Sequence, residues 1–429
     1  MIKNRKKTEL FKSALILLLT VSALLLGWQT KLFNDFFGSI PLFGSVAELV
    51  RGTASTVETN GAPIKEAARP LVIVITDEQG EHFAVKYDTD WRNAVYDRTS
   101  SIIGEALGSA LMVSEISEAE WREALLGHGV YFEYVFPVRL SVLGGWLGSP
   151  MPDLALEAPI RRLCVVFGEE RNRLYFQDAN SGQFYGAETA SAAAKAQELE
   201  IYSPNSAIFA FQLGTAGSES APYMMIFPGR SYHPDVRADS VGSATELLEI
   251  TRDAMGHANE STMIFPEGEG ALRCIGTNFN LRADLFGRVT YRRLDDLTPY
   301  AVRLALSEGD LIERARIVVA ETIGAFSGGA EVFFESVDFE TAGYGSVYFG
   351  YYIAGGRVHL QNDMYAAKVT IANGIVTLLE LNFLNFAFSG EYSRLLPEVQ
   401  ALAARNGEFI LSYSDIGAEI LQSSWLKFG

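Results

Sequence analysis

Apolar residues at alternating and at helical spacing predict a folded region from residue 70 to residue 429. LVIVIT at 71–76 and HFAVKY at 82–87 predict a strand pair across a short polar turn. Residues 91–111 carry apolar side chains three and four positions apart, which predicts a helix. VYFEYVFPV at 130–138 predicts another strand. Helices and strands therefore mix along the chain.

Two local signals sharpen this pattern. Ser117 and Glu120 have the spacing of a capping box, which predicts that a helix begins there. Asn373-Gly374 lies between two alternating segments and predicts a tight hairpin. AIFAFQL at 207–213 is interpreted as a strand, and the Gly, Ser and Pro content of 215–240 indicates a linker.

Helix followed by strands occurs twice in the C-terminal half, at 242–293 and at 299–388. The predicted fold class is α+β, with a multi-domain ectodomain of antiparallel sheets and packed helices behind one N-terminal transmembrane helix. The predicted segments are a cytoplasmic tail (1–9), a transmembrane helix (10–29), a stalk (30–69), an N-terminal α+β domain (70–214), a linker (215–240), a middle α+β module (241–295) and a C-terminal α+β module (296–429).

The transmembrane prediction rests on an uncharged apolar run at 13–28 behind a basic segment, MIKNRKK. A positive N-terminal flank favours a cytoplasmic N-terminus, which predicts a single-pass cell-membrane protein whose bulk is extracytoplasmic. A cleaved signal peptide has a similar layout and is the competing interpretation. No small-residue cleavage pattern follows Trp28.

Composition narrows the function classes. The chain has 429 residues, 48% of them hydrophobic, and a formal net charge of −17. Because nucleic acids bind basic surfaces, this balance argues against a nucleic-acid partner. Cys164 and Cys274 both lie in apolar segments, so a disulfide and two buried thiols remain equally open.

The sequence carries no familiar catalytic or metal-binding motif. Its five histidines are dispersed singly, so no metal site and no cofactor are predicted. The acidic pairs Glu267/Glu269 and Asp295/Asp296 are interpreted as a hairpin tip and a charge-balanced loop rather than as glycosidase carboxylates. No catalytic residue is assigned, and the chain is predicted not to be an enzyme.

Aromatic residues are dense in the predicted C-terminal strands. Their alternation predicts that half face the core and half form an outward face suited to a protein partner. They are Phe333, Phe334, Phe339, Tyr344, Tyr348, Phe349, Tyr351 and Tyr352.

Four features together resemble the YycH/YycI (WalH/WalI) family. The first is the basic N-terminus with its single anchor, and the second is the sequence of 91–110 and 128–148, a helix, a strand ending in Phe-Pro and a short apolar helix. The third is the strand-rich stretch 265–293, which ends on Tyr-Arg-Arg. The fourth is GYGSVYFGYYIAGGRVHL with KVTIANGIVTLLELNF, in which Gly355-Gly356-Arg357-Val358-His359 replaces the family's Gly-Tyr-Pro-Val-Phe.

The resemblance implies a membrane-anchored, extracytoplasmic regulator of the YycG (WalK) cell-wall sensor kinase, a two-component system. The implied partners are that histidine kinase and a related regulator, reached through protein–protein and transmembrane-helix contacts. A homo- or hetero-oligomer remains open. The alternatives are a cell-wall hydrolase and an extracytoplasmic module that binds peptide or polysaccharide.

Overall fold

The computed structural model describes residues 64–149, 158–191, 193–215, 217–294, 306–341, 343–405, 407–414 and 419–427. They belong to one compact unit, Asn60–Gly429. Within them, no helix combines the length and the apolar character needed to cross a bilayer. The predicted span at 10–29 lies outside the described residues. Of the predicted stalk, residues 64–68 form a 3-10 helix.

Among the described residues, the first sheet has seven strands in the order β2-β1-β4-β5-β6-β7-β3. The strands are β1 Val72–Thr76, β2 His82–Val85, β3 Ala110–Ile116, β4 Gly129–Arg139, β5 Pro159–Val166, β6 Arg173–Asp178 and β7 Phe184–Thr189. The helices of this region are α1 Thr89–Gly108, α2 Glu118–Leu126 and α3 Leu140–Trp146, and a 3-10 helix covers Ala193–Leu199. We refer to this part as the N-terminal sheet.

Helix starts follow the side chains that cap them. The Asp88 carboxylate accepts a hydrogen bond from the backbone N–H of Trp91 at 2.9 Å, where α1 begins. The predicted capping box of α2 is present, with Glu120 N–H donating to the Ser117 hydroxyl at 3.2 Å and Ser117 N–H donating to Glu120 at 2.8 Å. Helix α1 ends earlier than predicted, and β3 occupies 110–116.

The segment predicted as a strand and a linker folds differently. It contains β8 Ile208–Phe209, α4 Ala210–Leu213, β9 Met225–Ile226 and β10 Tyr232–Ser240. The prediction of a strand across 207–213 is therefore wrong after Phe209, and residues 232–240 form a strand instead of a linker. The reason is long-range pairing, because β10 joins residues 384–394.

The second large sheet has eleven strands within the part of the chain that the structure describes, and it follows helix α5 Ala244–Ala254. Its order is β11-β12-β13-β14-β19-β18-β16-β17-β21-β23, and β15 pairs with β16. The strands are β11 Met263–Pro266, β12 Leu272–Ile275, β13 Phe279–Ala283, β14 Arg288–Arg293, β15 Glu331–Thr341, β16 Tyr344–Ile353, β17 Gly356–His359, β18 Ala367–Ala372, β19 Ile375–Asn382, β21 Phe409–Ser414 and β23 Ser423–Lys427. We call it the C-terminal sheet.

Helices α6 Glu308–Glu321 and α7 Glu398–Arg405 accompany this sheet, and β20 Leu384–Arg394, β10 and β22 Ile420–Leu421 form a separate three-stranded sheet. Strand β14 pairs with β19, so the predicted middle and C-terminal modules share one sheet. The α+β class is confirmed: the described strands form sheets that are antiparallel except for the parallel β17–β21 pair.

The outward aromatic face predicted for 333–352 is wrong for the C-terminal end of β16. Neighbouring Tyr351 and Tyr352 point to opposite faces of β16, yet both are buried. Tyr351 packs near Phe386, with ring centroids 4.9 Å apart, whereas Tyr352 packs near Phe333 at 5.4 Å. This part of β16 is therefore covered on both faces. Only Phe339 among the phenylalanines of this set is exposed.

Both cysteines are free and buried, Cys164 in β5 and Cys274 in β12. Burial raises the pKa of the Cys164 thiol well above its usual range. The open question of a disulfide is thus answered in favour of two thiols inside separate sheets.

Candidate functional site

The acidic pair Glu267/Glu269 lies in the turn between β11 and β12. Glu267 N–H donates to the Ala271 carbonyl at 2.8 Å, and Glu269 adopts a φ of +49°. The Glu267 carboxylate forms ion pairs with Arg273 and, at 2.9 Å, with Arg282. It is thus a hairpin residue held by two cations, whereas Asp295 and Asp296 lie outside the described residues.

The histidines are each held by separate neighbours. His82 contacts the hydroxyl of Thr76 at 3.0 Å, and His257 contacts Glu260 at 2.6 Å. His128 lies edge-on to Phe167, and His359 lies 3.3 Å from the Ser412 hydroxyl. Among the described residues, no group of three His, Cys, Asp or Glu side chains could hold a metal ion.

A charged quartet lies where the N-terminal sheet meets the C-terminal sheet. It consists of Glu133 on β4, Arg161 and Arg162 on β5, and Glu408 just before β21. The Glu133 carboxylate accepts from Arg161 at 2.9 Å and from Arg162 at 3.0 Å. Both arginines also pair with Glu408. We call these four residues the junction quartet.

The quartet favours the ionised form of Glu408. Burial alone raises the pKa of Glu408, but the guanidinium groups of Arg161 and Arg162 outweigh it and lower that pKa to about 2. Since Glu408 is 247 residues from Arg161, this attraction joins distant parts of the chain. Removing one arginine would leave the carboxylates of Glu133 and Glu408 with a single guanidinium to compensate both.

A second polar group lies beside the quartet. Glu398, at the start of α7, is fully buried and accepts from the Tyr87 hydroxyl and from Phe227 N–H at 2.7 Å. Burial raises the pKa of Glu398, which the nearby charge of Lys86 opposes. Burial likewise lowers the pKa of Lys86. Lys86, which follows β2, and Glu398 thus connect the end of β2 with α7.

His233 packs beside Tyr87, and its imidazole ring is uncharged. Its ring is edge-on to Tyr87 and to Trp425, with centroids 5.0 Å away in both cases. Burial, together with the charges of Arg230 and Lys86, lowers the pKa of His233 to about 3. Its ring is therefore neutral and acts as a packing element across physiological pH.

The glycine pair singled out in the sequence forms the turn that meets Lys86. Gly355 has a φ of +71°, and a Cβ built there would lie 2.8 Å from the Lys86 carbonyl oxygen. The next residues continue the contact, since Arg357 binds the buried Glu335 at 2.6 Å and lies over the Phe136 ring. The β16–β17 turn is thus fitted against the N-terminal sheet.

This junction suits positioning better than catalysis. The cavity beside the quartet, lined by residues such as Lys86, Glu133 and Arg161, has a volume of about 20 Å³. That is room for about one water, far below the several hundred Å³ of a typical ligand pocket. The charges bind one another and thereby fix how the two sheets meet.

Sequence reasoning did not select these residues. A usable signal was present, because Glu133 interrupts the apolar run VYFEYVF and Arg161-Arg162 interrupt PIRRLCVV. A charge inside a strand that is otherwise buried requires a partner. The identity of that partner, Glu408, had no local signal.

No family model matches the chain, and no curated protein does. Among solved structures, YycH from Bacillus subtilis is similar with a TM-score of 0.52 and 13% sequence identity, covering 84% of this chain and 94% of that one. An uncharacterized protein from Eubacterium rectale aligns with a TM-score of 0.30 and 11% identity over 45% of this chain and 76% of that one. The first likeness confirms the resemblance found in the sequence: the chain has a YycH-like fold.

Proposed function

We propose that this chain is a non-enzymatic regulatory protein of a cell-envelope two-component system and acts through protein–protein contacts. The observation that carries the proposal is the likeness to YycH along 84% of the chain. The sequence resemblance to regulators of the YycG (WalK) kinase supports the same role.

The polar chemistry of the junction quartet and of Glu267 also supports a positioning role. Glu133 and Glu408 are used in ion pairs, and Glu267 is held by two arginines. A general acid or base needs a pocket in which a substrate can reach it. The junction quartet has no such space.

The proposal includes the topology expected from the sequence. Residues 10–29 anchor the protein in the cell membrane, residues 1–9 are cytoplasmic and the remainder is extracytoplasmic. Fusing an enzyme that works only outside the cell after residue 33 should give activity. Recovery of a soluble chain that begins near Gln29 would refute the anchor.

The proposed partners are a YycG-type sensor histidine kinase and a related regulator. Deleting the gene should change the phosphorylation of the cognate response regulator, and the full-length chain should restore it. Glu267→Gln and Glu269→Gln should restore it equally, because neither acid is proposed to act on a substrate. Unchanged phosphorylation after deletion would overturn the proposal, as would loss of regulation in a folded Glu267→Gln chain.

A further inference from the structure

Strand β11 exposes an apolar edge of the C-terminal sheet. All four of its residues are exposed, with Met263 at 63%, Ile264 at 47% and Phe265 at 43%. The adjoining turn between β13 and β14 adds Leu285 and Phe286, which is 72% exposed. Exposed apolar residues that cluster in this way mark a binding surface more often than isolated ones do.

The backbone of β11 is paired on one side among the described residues. Its neighbour is β12, with Phe265 opposite Arg273 and Ile264 opposite Cys274. Glu267 N–H donates to the Ala271 carbonyl, on the side of β12. Because backbone bonding alternates along an antiparallel strand, the N–H and C=O of Phe265 also point toward β12, whereas those of Ile264 point away from it. The N–H and C=O of Ile264 are thus free to bond a further strand at this edge.

Two edges of the N-terminal sheet carry a side-chain cap or a bulge, unlike the edge at β11. At β2, the amide side chain of Asn205 accepts from Ala84 N–H at 3.1 Å and donates to the Ala84 carbonyl at 2.7 Å. At β3, a bulge between Leu111 and Ser114 interrupts the pairing. Caps and bulges are common ways in which proteins block edge pairing. β11 has neither, although its last residue, Pro266, lies at an outward position and has no N–H to donate, so Ile264 supplies the outward N–H of this strand.

Arginines lie beside β11 on one face of the sheet. Arg273 on β12 lies opposite Phe265, and Arg282 on β13 lies opposite Arg273. Arg282 pairs in turn with Thr290 on β14, and Arg292 lies two residues after Thr290 and therefore on the same face. These three side chains share a face with the carboxylates of Glu267, which binds Arg273 and Arg282, and of Glu380, which lies opposite Thr290 on β14. In a chain of net charge −17, this cationic face stands out. We call it the arginine face.

We propose that β11 is a docking edge that accepts an extended acidic segment of a partner protein as an added antiparallel strand. An added strand would lie about 5 Å from β11 and about 10 Å from β12. Its alternate side chains would fall on the arginine face, where acidic groups can reach Arg273, while backbone bonds form at Ile264. The proposal rests on the proposed function and assigns it a contact surface.

The first test removes the outward N–H without removing a bond inside the sheet. The full-length chain, purified in detergent, is titrated against a fluorescein-labelled peptide of alternating glutamate and valine, followed by fluorescence anisotropy. Ile264→Pro should weaken binding at least about tenfold, because proline cannot donate to the added strand. Ile264→Val keeps the N–H and should bind as the unmodified chain does. Equal binding by both variants would overturn the docking edge.

The second test addresses charge. Arg273→Glu should weaken peptide binding at least about tenfold at about 50 mM salt and less at about 500 mM, since salt screens exposed charges. The control Arg252→Glu, on α5, should bind normally. A peptide with lysine in place of glutamate should bind more weakly to the unmodified chain. Equal binding of the two peptides would refute an acidic partner.

Two more outcomes separate this inference from its alternatives. If Ile264→Pro converts a dimer of the unmodified chain into a monomer in analytical ultracentrifugation, the edge serves a second copy and the proposal is wrong. In cells, Ile264→Pro should lose regulation of the response regulator that Ile264→Val retains. If deletion changes regulation but Ile264→Pro does not, the docking edge fails while the proposed function stands.

Discussion

The junction and the β11 edge handle exposure in opposite ways. At the junction, charged groups such as Glu133 and Arg162 are buried, and each has a partner within the chain. At the edge, the apolar residues Met263, Ile264 and Phe265 are exposed. The chain thus supplies the partners of its buried charges where the two sheets meet, whereas the exposed apolar residues of β11 are available to a partner protein.

The largest effect is expected from breaking the junction. Arg162→Ala leaves the buried carboxylate of Glu133 with one fewer cation, which should lower the free energy of unfolding by about 3–5 kcal/mol. The control is Arg237→Ala, whose exposed pair with Asp239 at 2.9 Å should contribute at most about 1 kcal/mol. Chemical denaturation of the full-length chain measures both. Equal losses would show that the junction is not a special contact.

A matched pair of aromatic truncations compares the interior with the edge. Phe349→Ala removes a buried ring from the C-terminal sheet and should cost about 3–5 kcal/mol. Phe286→Ala removes a ring that is 72% exposed and should change stability by about 0.5 kcal/mol or less. Thermal melts provide the readout. A large loss for Phe286 would mean that this ring is covered in the folded chain.

Acid should weaken the junction. The folded-state pKa of Glu408 is lowered from 4.5 to about 2, so its contribution to stability is present above about pH 4.5 and is lost as the pH falls toward 2. Such a shift corresponds to about 3 kcal/mol at most. Glu408→Gln should remove this part of the pH dependence. An unchanged profile in that variant would assign the acid sensitivity to other groups.

Two glycines with the same φ give the smallest and sharpest contrast. Gly355 and Gly268 both have a φ of +71°, so alanine should cost about 1–2 kcal/mol of backbone strain at either position. Only at Gly355 would the new Cβ also meet the Lys86 carbonyl, whereas nothing lies within 4 Å at Gly268. Gly355→Ala should therefore melt lower. Equal melting temperatures of the two variants would show that Gly355 does not fit closely against the Lys86 carbonyl.

Local rules predicted the parts of the fold that local chemistry determines. The Asn373-Gly374 hairpin is present, with both residues at positive φ, because a tight turn needs that conformation. The capping box at Ser117 is present for a similar reason. Both signals lie within a few residues of the structure that they determine.

The parts that sequence reasoning missed depend on distant partners. Strand β10 contains Pro234 and little apolar alternation, and it forms because β20 pairs with it. The junction quartet joins Arg161 to a carboxylate 247 residues away. Burial on both faces of Tyr351 and Tyr352 likewise reflects a second core that periodicity does not reveal.

The central claim is that this chain works by binding another protein. The most direct measurement mixes the full-length chain with the purified YycG-type sensor kinase of the same cell in detergent, and follows complex formation by analytical ultracentrifugation. The account predicts a complex that Glu267→Gln preserves and that Ile264→Pro or deletion of the partner's acidic segment alters. Absence of any complex between the two full-length proteins would contradict it.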